Sequence, residues 1–174
     1  MKKLVLFLIL PIVLSSCGAK RVTPDELLAH QGCDLSCVYY AEDFVAEIEI
    51  KQTDDSMKVT YLSPESLSGL SFDVHSEGVS LELDGTLYPL DAEREGHLLK
   101  IYELLNIDRS DYKRIETSNG GISYEGTFLC DVGEVCLSYD MRSCRTTLII
   151  ADGFELEISE LEAVENNETT DTGN

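Results

Sequence analysis

The chain reads as an α+β domain, mainly antiparallel β, behind an export segment. Three features lead to that reading. Apolar residues alternate with polar ones at period two from Phe44 to Tyr88 and again from Tyr112 to Ser159. Turn-forming residues separate these runs at hairpin spacing. One stretch between them, about Ala92 to Leu105, carries the 3.6-residue period of an amphipathic helix.

The first element is an address. Met1-Lys2-Lys3 is a short positive start, Leu4 to Leu14 is apolar throughout, and the small residues Ser15 and Ser16 precede Cys17. This is the layout of a secretory signal, and the apolar run is shorter than the roughly 20 residues a membrane span needs. The quartet Leu14-Ser15-Ser16-Cys17 resembles the bacterial lipobox. That resemblance implies diacylglyceryl transfer to the Cys17 sulfur and cleavage before it. Residues 1–16 are then the signal peptide, 17–23 a lipidated tether, 24–160 the domain and 161–174 a disordered polar tail.

The 174 residues carry 13 Lys and Arg against 33 Asp and Glu, a formal charge of −20. Loss of Lys2 and Lys3 with the signal leaves 11 basic residues against the same 33 acids, or −22. Such a chain is repelled by nucleic acid, which excludes that class of partner.

Thr23-Pro24-Asp25-Glu26 is a helix start, with Thr as N-cap, Pro at the first helical position and acids in the first turn. The helix is expected from Pro24 to about Gln31, ending near Gly32. Strands follow at Phe44/Ala46/Ile48/Ile50, Val59/Tyr61, Leu70/Phe72/Val74 and Val79/Leu81/Leu83, and Asp84-Gly85 is a hairpin turn leading to Thr86-Leu87-Tyr88. Residues 43 to 90 therefore form an antiparallel meander. The amphipathic helix places Leu98, Ile101, Tyr102 and Leu105 on one stripe. Strands resume over 112–117, 121–125, 127–131, 134–139, 145–151 and 154–159.

Five cysteines follow Cys17: Cys33, Cys37, Cys130, Cys136 and Cys144. Cys33 and Cys37 have neither redox nor zinc-knuckle spacing, and read as a disulfide or two thiols. With Gly133 at the tip of a hairpin, Cys130 and Cys136 would face each other across adjacent strands, within disulfide range. They are the candidate disulfide, with Cys144 a competitor for Cys136.

No catalytic or metal site is expected, and no cofactor. His30, His75 and His97 are scattered, no Gly-x-Ser-x-Gly elbow is present, and the strand carboxylates alternate with apolar residues as solvated faces do. Asp84-Gly85 lacks the oxygen ligands of a calcium loop. Phe44, Phe72, Tyr102, Phe128 and Phe154 are expected in the core, or lining a cavity.

The strand Phe44-Val45-Ala46-Glu47-Ile48, the run Val59 to Leu70 with Ser63-Pro64-Glu65-Ser66 inside it, Val79 to Gly85 and the late hairpin around Gly133 together resemble a known group. Over about residues 40 to 160 the chain is similar to small clostridial lipoproteins, the germination lipoprotein GerS among them, that share the fold of the carriers LolA and LolB. The resemblance implies a curved open half-barrel whose concave apolar face is covered by helices. In the carriers the concavity holds a lipoprotein's acyl chains, and in the GerS-like members the fold docks a partner.

The expected role is that of an extracytoplasmic lipoprotein held to a membrane through lipid on Cys17. The outer face of a cytoplasmic membrane fits the clostridial resemblance. It would bind an apolar ligand or an envelope protein without catalysis. Two other classes stay open: a cell-wall hydrolase, and a thiol-redox protein using Cys33 and Cys37.

Overall fold

Eleven strands form one antiparallel sheet in a computed structural model that describes residues 23–53, 55–91, 96–108, 111, 114–119, 123–131 and 133–163. The expected signal 1–16, Cys17, the expected tether up to Val22, the expected helical residues 92–95 and the expected polar tail from Val164 lie outside the described residues. The strands are β1 (Cys33–Ala41), β2 (Phe44–Gln52), β3 (Met57–Tyr61), β4 (Ser71–His75), β5 (Gly78–Leu83), β6 (Thr86–Pro89), β7 (Arg114–Asn119), β8 (Ser123–Cys130), β9 (Gly133–Asp140), β10 (Arg145–Ala151) and β11 (Phe154–Ala163). Their order across the sheet is β6-β5-β4-β3-β2-β1-β11-β10-β9-β8-β7, so two meanders join where β1 lies beside β11. The mainly antiparallel open sheet matches the sequence expectation.

Alternation decides which side is the core. Cys33, Leu35, Cys37, Tyr39 and Ala41 of β1 are buried, as are Ala46, Ile48 and Ile50 of β2, Met57, Val59 and Tyr61 of β3, and Phe154, Leu156 and Ile158 of β11. The opposite face carries Glu47 and Glu49 beside Glu157 and Glu160, paired in register through Val38 and Ser36 of β1. One face is oily and the other acidic and wet, as period two requires.

Helix α1 (Pro24–Leu27) is a single turn, shorter than the expected Pro24 to Gln31. Its start is as expected: the Glu26 amide donates to Thr23 Oγ1 at 3.3 Å, and the Thr23 amide donates to Glu26 Oε2 at 2.7 Å, a reciprocal capping box. Leu27 and Leu28 are buried, α1 packs against β9 and β10, and the buried Thr146 hydroxyl donates to the Leu27 carbonyl at 3.0 Å. Helix α2 (Gly96–Asn106) buries Leu98, Ile101, Leu104 and Leu105 against the inner face near β4 and β5, each contributing about 1.5–3 kcal/mol. Its polar side is tied to sheet turns: Lys100 reaches the Asp152 carbonyl at 3.2 Å and Tyr102 the Asp55 carbonyl at 3.4 Å.

Three elements depart from expectation. Strand β1 was not anticipated, yet it sits between the two meanders. Gly126 does not divide two strands: β8 runs through it, and the missing side chain makes room for α1. Strand β11 continues to Ala163, beyond the expected end near Ser159, because its far half pairs with β1 from Cys33 onward.

Candidate functional site

Aromatic rings line one end of the inner face. Phe154, Tyr39, Phe44, Tyr61 and Phe72 belong to β11, β1, β2, β3 and β4, successive neighbours in the sheet. Ring centroids are 6.4 Å apart for Phe154 and Tyr39, 6.1 Å for Tyr39 and Phe44, 6.1 Å for Phe44 and Tyr61, and 5.6 Å for Tyr61 and Phe72. Small residues beside them, Ala41 and Ala46, leave the space that the rings fill. At the start of α2 the packing opens into a cleft of about 290 Å³ walled by Tyr39, Phe44, Tyr61 and Leu98, with Glu42 and His97 also lining it. That volume lies just below the roughly 300–1,000 Å³ of small-molecule sites. Phe128 is instead wholly buried core, and Tyr102 faces a different groove.

The second groove, about 700 Å³, lies between the β4–β5 turn, the end of β6 and α2, and Asp55, His75, Glu77 and Tyr102 line it. His75 Nε2 stands 3.4 Å from Asp73 Oδ2, and its Nδ1 stands 3.2 Å from the Asp55 carbonyl. Both ring nitrogens thus face oxygen atoms. The other histidines do not join it: His30 is buried after α1, and His97 sits at the start of α2 against Gly153. Among the described residues no group of three or more His, Cys, Asp or Glu could hold a metal ion, and no helix is long and apolar enough to cross a membrane.

The cysteine expectations are corrected by register. Cys130 pairs with Gly133 and Cys136 with Thr127, so the β8–β9 hairpin turns ahead of Gly133. The expected tip at Gly133 would have put Cys130 opposite Cys136. The two registers differ by an odd number of residues, which turns Cys136 to the opposite face of the sheet from the buried Cys130. Cys33 and Cys37 lie four residues apart on one strand, about 13 Å at 3.3 Å per residue, too far for a bond between them. No disulfide joins any two of these five cysteines in the structure. Burial pushes the Cys37 thiol up to about 12, the reverse of what a redox thiolate needs. Cys144 is exposed in the β9–β10 turn, where it sits beside the Tyr139 hydroxyl. Burial first, and that contact second, push Tyr139 up to about 12.

Comparison with known proteins adds a likeness of fold. The chain matches no family model and no curated protein sequence. Several solved structures are similar to it. An uncharacterized conserved protein from Thermus thermophilus shares 12% identity at a TM-score of 0.45, over 80% of this chain and 83% of that one. A LolA superfamily protein from Nitrosomonas europaea shares 11% at 0.40, over 82% and 94%. A domain described as a putative outer membrane lipoprotein-sorting protein from Vibrio parahaemolyticus shares 12% at 0.41, over 86% and 97%. At these values the likeness assigns no ligand and no partner.

Sequence reasoning named Phe44, Phe72 and Phe154 for this region but missed Tyr39. The signal was present: Cys33, Leu35, Cys37, Tyr39 and Ala41 alternate at period two. Considering Cys33 and Cys37 only as a disulfide or two thiols hid their role as small apolar residues of a strand.

Proposed function

We propose that this chain is a non-catalytic binding module of the cell envelope, anchored through lipid on Cys17, and that the aromatic cleft beside α2 is where it takes an apolar ligand. The observation that carries the reading is the row of rings from Phe154 to Phe72, whose middle three, Tyr39, Phe44 and Tyr61, wall an open cleft. A purely structural core would be expected to close over those rings with aliphatic side chains.

The position of the cleft agrees with an anchored receptor. It lies beside Ala41 and Glu42, whereas the described chain enters β1 at Cys33 and leaves β11 at Ala163, side by side at the other end of these strands. That is about 26 Å away at 3.3 Å per residue. Helix α1 also packs at that far end, near Thr146 at the start of β10. An anchor at Cys17 would leave the cleft open to approach. Placement on the outer face of a cytoplasmic membrane, and a protein partner in place of a small ligand, belong to the same proposal. A chain with one lipid-bearing cysteine is better suited to local capture than to shuttling.

Lipid extraction and native mass spectrometry on the chain purified in a maltoside detergent test the reading. An apolar molecule that co-purifies with the chain, and is lost on Tyr61→Asp in a protein that still folds, supports it. A ligand-free chain that also cross-links to no envelope protein would sink it.

A further inference from the structure

We infer that the aromatic cleft recognises a quaternary ammonium group, with Glu42 as its counter-charge. This rests on the binding role proposed above and names the chemistry of what enters the cleft. Three of its walls are ring systems, and ring faces carry the negative lobe of a quadrupole that attracts cations within about 6 Å of the centroid. Phe44 lies 6.1 Å from both Tyr39 and Tyr61, with interplanar angles of 65° and 51°. The three rings therefore do not stack as one flat wall. All three line the cleft, and Leu98 adds methyl groups to its wall, which suit N-methyl substituents.

Charge points the same way. Glu42 occupies the β1–β2 turn with φ of 49° and lines the cleft while exposed to solvent. Among the described residues nearby, His97 lines the cleft and Lys100, one turn further along α2, is held 3.5 Å from Asp152 Oδ2. The whole chain carries a formal −20, a field that concentrates cations. A primary ammonium would also bring three N–H donors that aromatic walls serve poorly. A quaternary ammonium brings charge and no donor.

Choline and 3,3-dimethylbutan-1-ol form the decisive pair, since they have the same shape and differ by a charged nitrogen in place of carbon. Each is titrated into the full chain in a maltoside detergent and followed by NMR of the aromatic side chains. The expected result is that choline binds at least about tenfold more tightly than the neutral alcohol. Phe44→Leu or Tyr61→Leu should then cost roughly three- to thirtyfold in choline affinity. Glu42→Gln, a change on an exposed turn that leaves the core intact, should weaken choline severalfold and leave the alcohol unchanged. Equal binding of the two compounds, or a choline affinity indifferent to Glu42→Gln, overturns the inference while the cleft remains an apolar site. Binding of neither overturns the inference and the cleft as a ligand site together.

Discussion

Gly126 of β8 lies directly beneath Leu27 of α1: a Cβ at position 126 would stand 2.7 Å from Leu27 Cδ1 and 3.0 Å from Phe128 Cε2. The absent side chain is what lets the single-turn helix reach the sheet. Gly126→Ala should force Leu27 or the Phe128 ring aside and cost about 1–3 kcal/mol. Thr146→Val, which removes the donor to the Leu27 carbonyl, should cost about 1–3 kcal/mol at the same contact. Because both act on one contact, the double variant should lose less than the sum. Urea unfolding measures all three. A Gly126→Ala protein with the wild-type midpoint would mean that α1 does not seat on β8.

The strand registers set which thiols meet solvent. A water-soluble thiol reagent should modify Cys144 rapidly and the half-buried Cys136 more slowly. Cys33, Cys37 and Cys130 should react only after unfolding. Intact mass without reductant should correspond to five thiols in the domain. A peptide map that joins Cys130 to Cys136 would contradict the β8–β9 pairing described here.

Alkaline pH should weaken the fold, and the sign follows from burial. The Cys37 thiol is raised from 9.0 to about 12 in the folded protein. Below about pH 9 folded and unfolded chains both hold this proton, and its contribution is fully present. Between 9 and 12 only the unfolded chain releases it, so stability falls as pH rises, by at most about 1.4 kcal/mol per pH unit. Tyr139 adds a similar fall over the upper part of that window. Cys37→Ala should flatten the decline measured by urea unfolding at pH 8 to 11. An unchanged slope would show that Cys37 ionises equally well in the folded chain.

The proposed lipid anchor makes a separate prediction. Cys17→Ala should release the chain from membranes under a salt wash and abolish incorporation of labelled fatty acid. A variant that stays membrane-bound would remove the anchored-receptor reading, while the cleft and its chemistry would stand untouched.

Period-two alternation exposed most of the sheet in the sequence, because a sheet with one oily and one acidic face must repeat every second residue. Asp84-Gly85 likewise announced its turn, and both residues adopt positive φ, 51° and 75°, in the β5–β6 hairpin. What stayed hidden depended on relations between distant segments. Gly126 looked like a break because the close approach of Leu27, ninety-nine positions earlier, cannot be seen locally. Register at β8–β9 turned on whether the tip was Gly133 or lay ahead of it, and that choice reversed the face of Cys136. The aromatic cleft was half legible: the strands supplying Phe44 and Phe72 were visible. That Tyr39 joins them depends on β1 pairing with both β2 and β11.

That pairing also governs how the chain must be made. Every other ladder in the sheet joins strands consecutive in sequence, so each meander can grow hairpin by hairpin. The β1–β11 seam alone brings Cys33 beside Ala163. Closing so long a loop costs entropy that grows only with the logarithm of its length, but contacts of such separation form late. A chain emerging N-terminus first, from a ribosome or a translocation channel, would hold half a sheet with β1 as an unsatisfied edge until β11 arrives. That interval is when the nascent protein is most open to wrong partners, and its length is set by the time taken to deliver the chain from the end of β6 through β11.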